Sequence, residues 1–559
     1  MGTTRTSPLF ERHAATLEAA VAALHDRSGW SPYPEVPSGK FYGEDAKAEG
    51  LTTWQALLGK DFNLPGHPET GKAGQEVSPF GETLRVRYPA ADADALVQAS
   101  KVAAAGWAAA PVETRAGICL EILQRLNRAS FLMAHATMHT SGQAFPMAFQ
   151  AGGPHAQDRA LEAVAQAWVA MKAVPEQAVW RKSVGKQEIV LDKHWRVVPR
   201  GVALCIGCQT FPTWNTYPGF FASLATGNTV IAKPHPAAIL PMALTVRVAR
   251  EVLASEGFSP DVVLLAAENP GGEMAKALAQ HPDVATIDFT GSGAFAQWLR
   301  GHAATRRLFT EETGVNSVVV GATDAFRAMC DNLAFSLSLY SGQMCTSPQN
   351  IFVPVGGIDT DEGHKSFDAV AQGIADAVDR LLSDPERALM VTGAIANPGT
   401  LARLQKVCAQ GRVVRDSAPL AGPQGARTAT PLMLAVDAGA TRVHEDECFG
   451  PVSFVIAVDD VMDGVRQAAH LAREKGAITA ALYDTDEARI ASAIEAFAGA
   501  GVNLSINLQG AIYVNQSAAF SDFHVTGLNP AGSASFADQA FVSDRFGVVM
   551  WRRPAVGMS

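Results

Sequence analysis

The sequence predicts an α/β protein in which two parallel-sheet domains face each other across a cleft. Three observations carry this reading. Short apolar runs alternate with helix-like segments from Val202 onward, and the alternation starts afresh near Ser317. The chain, at 559 residues and 48% hydrophobic, is also too long for one ordinary core. Strands that read as continuous apolar runs belong to sheets covered by helices on both faces.

In chain order, a helix is expected over 17–24. The Pro-, Gly- and aromatic-rich stretch SGWSPYPEVPSGKFYG that follows has the composition of ordered loops draped over a domain. From 92 to about 174, apolar residues recur every three or four positions around Trp107, Ile118, Leu123 and Leu126, which predicts helices. The alternating stretch 180–199, WRKSVGKQEIVLDKHWRVVP, reads as a hairpin and as an arm leaving the body. The first strand–helix unit then contains VALCIG, TVIAKP, VVLLAA and VATIDFT, with helices over 244–255 and 273–280. The second contains SVVVG, IFVPV, ALMVTG, SFVIAV and ITAALY.

Composition excludes several function classes. A net charge of −10 argues against nucleic acid as the main partner. No run reaches the roughly 20 apolar residues of a membrane span. The N-terminus, MGTTRTSPLFERHAATLEAAV, has early charges and no apolar core, so no signal peptide is expected. Seven cysteines, few and odd in number, suit a reducing cytoplasm rather than a disulfide framework. The fourteen histidines show no HExxH or comparable spacing, and Cys205-Ile-Gly-Cys208 lies in an apolar run without a second ligand pair. That CxxC match reads as core packing, and no metal site is expected.

Four elements carry chemistry. Cys345, in SGQMCT, lies between a helix-like stretch and a strand-like run, where backbone rather than packing positions a nucleophile. Glu311 and Glu312 end a short apolar strand; neighbours on a strand point to opposite faces, so one of them is expected at the cleft. Trp214-Asn215 sits in a proline-bounded loop after the first strand, where an amide can donate to a developing oxyanion. The loop FTGS, with Gly291 and Ser292, leads into a helix whose exposed N–H groups can hold phosphate. Each has a plainer alternative: an N-cap for Ser292, an ordinary turn for Trp214-Asn215, a solvated edge for a strand-end glutamate.

The order WN, AKP, FTGS, E-x-x-G, GQMCT, ECFGP resembles the aldehyde dehydrogenase superfamily over roughly residues 80–550. The resemblance implies two Rossmann-like domains plus an oligomerisation arm. It divides the chain into an N-terminal extension with a dinucleotide-binding domain (1–310), a catalytic domain (311–515) and oligomerisation segments (180–199 and 516–559). It also implies that Cys345 attacks an aldehyde, that hydride passes to a nicotinamide, and that activated water hydrolyses the thioacyl-enzyme. Asn215 and the Cys345 N–H would form the oxyanion site. Lys233, Trp214, Gly291 and Ser292 would hold the cofactor, and Glu447 and Phe449 the nicotinamide ribose and ring. Glu311, 34 residues before the cysteine, is chosen as general base, with Glu312 in reserve.

Three departures from the family pattern stand out. WNTYP carries one residue more than WNxP, and Ala296 replaces the last glycine of the GSxxxG turn. Pro236 replaces the glutamate of NAD-preferring members, so NADP is expected, with NAD possible. A narrower resemblance lies in RGVALCIGCQTFPTWNTYPGFFASLATGN, AFSLSLYSGQMCTSPQN and YVNQSAAFSDFHVTGLNPAG. These segments are similar to the phenylacetate-degradation branch of the family. That branch implies oxidation of a CoA-linked semialdehyde to 3-oxo-5,6-dehydrosuberyl-CoA, with ring opening left to a separate protein. The rival readings are a CoA-acylating dehydrogenase and an inactive pathway scaffold. A homo-oligomer, no nucleic acid and no membrane are the expected partnerships.

Overall fold

The computed structural model describes residues 7–312 and 314–555. The first set of apolar runs forms five parallel strands. Across the sheet their order is Val263–Leu265, Thr229–Lys233, Val202–Ile206, Val284–Gly291 and Arg307–Glu312. The chain enters at the central strand, builds outward on one side and then crosses to the other. The winding therefore reverses at the carboxyl end of Val202–Ile206, the crevice where open α/β sheets bind ligands. Leu204, Ile231, Leu264 and Ile287 fill one face. Ala203, Val230 and Leu265 on the other pack in one core with residues of the helices Pro8–Asp26, Val112–Arg128 and Pro154–Lys172.

The second unit is a seven-stranded sheet. Its order is Arg412–Arg415, Leu432–Asp437, Val452–Val458, Asn350–Pro354, Ser317–Val320, Thr479–Tyr483 and Asn503–Ile506. Only the Arg412–Arg415 edge runs antiparallel. Separate apolar clusters cover its two faces, as continuous apolar strands require. The arm is a third, antiparallel sheet, in which Gln177–Val184 and Phe546–Pro554 flank Gln187–Pro199. It carries exposed Val179, Val549 and Trp551. Among the described residues no helix is long and apolar enough to cross a membrane.

Four expectations are corrected. ALMVTG is no strand: Pro385–Thr392 is a helix, opened by Pro385 and by Asp384, whose side chain accepts from the Arg387 N–H. Asp-Pro at a helix start outweighs a short apolar run. The 1–80 region includes a helix, Ala46–Leu57, anchored by buried Trp54. A domain boundary at 310 would cut a strand, since Glu311 and Glu312 still pair with Thr290 and Gly291. Finally, residues 516–545 do not join the arm; they return across the first domain, and only Phe546–Pro554 reaches the arm sheet. The end of that segment beyond 555 lies outside the described residues.

The returning segment is locked by Arg545, which is fully buried. Its guanidinium grips Asp288 with two hydrogen bonds of 2.6 and 2.7 Å, and the Phe309 and Phe541 rings lie 4.5 and 4.3 Å from its central carbon. Gly219 makes room for the carboxylate, because a Cβ there would lie 2.3 Å from the Asp288 carboxyl carbon. Losing one member strands the other as a buried charge. Arg545→Met is expected to lower the unfolding free energy by about 3–5 kcal/mol in a urea titration. Adding Asp288→Asn to that variant should recover a large part of the loss.

Candidate active site

Cys345 follows a backbone turn that few residues adopt. After the helix Phe326–Ser338, Tyr340, Ser341 and Gly342 take φ of +52°, +50° and +62°. Left-handed backbone at non-glycine residues costs energy, so neighbours must hold it. The Tyr340 hydroxyl donates to the Ser141 carbonyl, and the Ser341 hydroxyl to the carbonyls of Thr392 and Ala429. The Gln343 amide donates to Tyr340 and Ala394 carbonyls and accepts from the Ala396 N–H. A Cβ on Gly342 would lie 2.5 Å from the Gly450 carbonyl oxygen. From the other side Asn316 donates to the Cys345 and Ser347 carbonyls at 2.7 and 3.0 Å, while its oxygen accepts from the Ile478 and Thr479 N–H groups. The partly buried thiol is thus presented by a clamped turn.

Glu311 ends the outer strand of the first sheet and is buried. Its Oε1 accepts from the Asn215 amide at 2.9 Å and faces His524 Nε2, also at 2.9 Å. The Asn215 oxygen in turn accepts from the Cys208 thiol at 3.5 Å. Cys208 therefore borders the site; only Cys205 is the fully buried core cysteine expected of both. Burial alone would raise the Glu311 carboxyl, but His524, Arg159 and Asn215 together hold it below its usual range. Burial, then the Glu311 charge and Cys208, push the Cys345 thiol well above the ordinary thiol range. The carboxylate is thus ionised beside a thiol that does not ionise unaided.

Glu312 faces away. It forms two hydrogen bonds with Arg300 of the helix Gly293–His302, at 2.7 and 3.3 Å. Strand alternation thus separates the two glutamates as expected, Glu311 toward the thiol and Glu312 toward that helix. Thr313 lies outside the described residues.

The thiol opens onto a cavity of about 820 Å³, whose walls include Phe211, Trp214, Phe335, Met344 and His524. The indole of Trp214, assigned to the cofactor from sequence, lines this cavity and stands edge-on to His524 at 4.5 Å. Residues 29–35 close one wall through Trp30, Ser31, Tyr33 and Glu35. The Ser31 hydroxyl donates at 2.8 Å to Asp158, whose carboxyl burial pushes well above its usual range.

The cofactor candidates divide into two groups. Lys233 ends its strand at the crevice, buried, and pairs with Glu268 from the segment after Val263–Leu265. Gly291 and exposed Ser292 open the helix Gly293–His302, where the Ser292 hydroxyl accepts from the Phe295 N–H as an N-cap. Glu447 and Phe449 lie in the loop before Val452–Val458. That loop is held by Gln349, which accepts from the Cys448 N–H, and by Arg403, which donates to the Phe449 carbonyl. A winding reversal flanked by a buried lysine–carboxylate pair and a helix N-terminus fits a dinucleotide.

Two residues at these sites are absent from the sequence expectations. His524 lies in the segment assigned to oligomerisation, inside the stretch YVNQSAAFSDFHVTGLNPAG, but was given no role there. Glu268 stands 35 residues beyond Lys233 without a recognisable pattern. Glu311, Cys345 and His524 also bring three possible ligand atoms within 4.8 Å of one another. No metal site was expected from the sequence, and these same atoms already bond to each other.

Comparison with known proteins bears on the whole chain. Residues 69–538 match the aldehyde dehydrogenase family. A solved NAD-dependent aldehyde dehydrogenase from Burkholderia multivorans is 51% identical, with a TM-score of 0.97 over 99% of this chain and 100% of that one. A 3,4-dehydroadipyl-CoA semialdehyde dehydrogenase of Aromatoleum evansii is 27% identical over 338 residues, spanning 55% of this chain and only 60% of that protein. A Thermus 1-pyrroline-5-carboxylate dehydrogenase solved with NAD shares the fold, with a TM-score of 0.73 over 94% of this chain and 98% of that one at 19% identity. The chain belongs to the aldehyde dehydrogenase family.

Proposed function

We propose that the protein oxidises a CoA-linked semialdehyde to the carboxylic acid through a thioester on Cys345. The observation that carries the reading is the meeting of Glu311 with Asn215 and with Cys345, whose thiol opens onto the cavity. The sulfur attacks the aldehyde carbon and the carbonyl oxygen becomes an alkoxide. Asn215 carries two N–H donors, so one can receive that oxyanion while the other stays on Glu311. A bound nicotinamide supplies the hydride acceptor. Glu311 then takes a proton from water, whose oxygen attacks the thioester and releases the acid and the thiolate.

Three observations support a CoA-linked substrate. The cavity of about 820 Å³ is large and largely carbon-walled. Exposed Arg387 on its wall offers positive charge to phosphates. A relative named for a CoA semialdehyde is 27% identical. The narrower likeness to phenylacetate-degradation proteins points the same way and makes the ring-opened semialdehyde of that route the first substrate to try.

For the cofactor we favour NAD over the NADP expected from sequence. That expectation rested on the missing carboxylate at Pro236, but Glu268 supplies a carboxylate beside Lys233 from another segment. A 2′-phosphate there would have to compete with that carboxylate for Lys233. The 51% identical homologue is described as NAD-dependent, which agrees. Association through the arm is part of the same reading, since an exposed apolar three-stranded sheet gains stability from a partner surface.

Cys345→Ser is expected to reduce aldehyde-dependent NADH formation to background while NAD still binds, measured by turnover and by titration. Turnover at the wild-type rate would sink the reading. Glu311→Gln should give at most one, slowed turnover of NADH, because the thiol loses its proton acceptor, and then a steady rate about 10²–10⁴-fold lower. If addition of free CoA restores that rate, CoA rather than water resolves the thioester. In steady-state kinetics kcat/KM for NAD should exceed that for NADP by about tenfold or more, and Glu268→Gln should narrow the gap.

A further inference from the structure

His524 has no part in the chemistry described so far, yet it touches both reacting groups. Its side chain is 1% exposed, and its Nε2 lies 2.9 Å from Glu311 Oε1 and 3.8 Å from Cys345 Sγ. Its Nδ1 is buried and, among the described residues, has no hydrogen-bond partner. In a neutral ring that orphan decides the tautomer. A proton on Nδ1 would be a buried donor with nothing to receive it, and would turn the Nε2 lone pair against a carboxylate oxygen. The proton therefore sits on Nε2 and is donated to Glu311. One N–H lies between the carboxylate and the sulfur.

We propose that His524 is a third member of the catalytic centre, an Nε2–H donor that rests on Glu311 and passes to the Cys345 sulfur when the thiol loses its proton. This rests on the reading of Cys345 as nucleophile and Glu311 as base. In the step itself the S–H bond breaks, its electron pair stays on sulfur, and the proton forms an O–H bond on the Glu311 carboxyl. A neutral carboxyl accepts a hydrogen bond less strongly than a thiolate does, so the donor's better acceptor becomes the sulfur. Once the sulfur is acylated its charge is gone. The carboxyl gives its proton to water in the cavity, and the donor returns to Glu311, ready for hydrolysis.

The surroundings suit a ring that moves its hydrogen bond without changing its charge. Glu311 and Cys345 face it directly. Beyond them stand Arg159, 5.0 Å from the Trp214 ring, and Glu162, which pairs with Arg159. Asp522 lies two residues upstream on the same segment, and Cys208 lies behind Asn215. Trp214 packs edge-on against the imidazole and limits its tilt.

The test is the pH dependence of Cys345 alkylation by iodoacetamide, followed by mass spectrometry in the whole 559-residue chain. In His524→Leu the thiolate loses its donor, so alkylation below the midpoint should slow about ten- to hundredfold and the midpoint should move up by one to two pH units. Glu311 also loses a donor, so the acid limb of steady turnover should move up as well. His524→Gln keeps an N–H at similar reach and cannot titrate, and it should restore the wild-type alkylation profile. An unshifted midpoint in His524→Leu, or a shift that His524→Gln leaves in place, would overturn the proposal. If His524→Leu does not fold, a wild-type profile in His524→Gln supports it and a shifted one refutes it. Retained turnover in Cys345→Ser would instead refute the underlying reading, whatever His524 does.

Discussion

The paired charges of Arg545 and Asp288 hold together parts of the protein that sequence keeps far apart. Asp288 belongs to the strand Val284–Gly291 of the five-stranded sheet, whereas Arg545 closes the segment that returns from the second domain. Burying two charges is costly, and a hydrophobic pair of the same volume can be as stable or more so. What the pair contributes is register: a bidentate grip flanked by Phe309 and Phe541 admits one docking position. Weaker polar ties follow it along the segment. Arg159 and Gln166 donate to the carbonyls of Phe536 and Ala537, and the Phe520 N–H donates to Glu162. With the segment fixed in this way, His524 arrives beside Glu311.

The chemistry of the site follows from burial managed by few, well-directed donors. Glu311 would be protonated at its depth if left alone; His524 first, then Arg159 and the Asn215 donor, keep it ionised. Burial, and after it the Glu311 charge, keep the thiol protonated until the proton can leave. Neither group is poised in isolation, and the balance is a property of the cluster. Glu162, one step further out and pushed up to about 7 mainly by burial, continues the same chain of ionisable groups through Arg159.

How much of this was legible in the sequence depended on distance along the chain. Cys345, Asn215 and Glu311 could be named because each sits in a local pattern, a strand end or a bounded turn, whose geometry is nearly independent of the rest. Choosing Glu311 over Glu312 rested on the family resemblance, whose glycine pattern and usual spacing to the cysteine favour Glu311, because strand alternation says only that the two diverge. The left-handed turn before Cys345 was not read from the sequence: Tyr340 and Ser341 adopt it only because Ser141, Thr392 and Ala429 hold them. His524, Glu268 and the path of 516–545 were not legible. Their roles arise from contacts across long stretches of chain that leave no periodicity behind. The helix Pro385–Thr392 is a different kind of miss, since its Asp-Pro start is local and was outweighed by an apolar run.

The return of residues 516–545 also has a consequence for how the protein is made. Asp288 and Arg545 are separated by 257 residues, and Glu311 and His524 by 213. Synthesis proceeds at about 5–20 residues per second, and domains generally fold as they emerge. The five-stranded sheet can therefore form while its interior acid still lacks a counter-ion and the thiol still lacks its imidazole neighbour. During that interval Asp288 has only the Cys205 thiol of its own sheet for a partner. The order of emergence from the ribosome thus delays a finished reactive centre until the second sheet has been threaded past it.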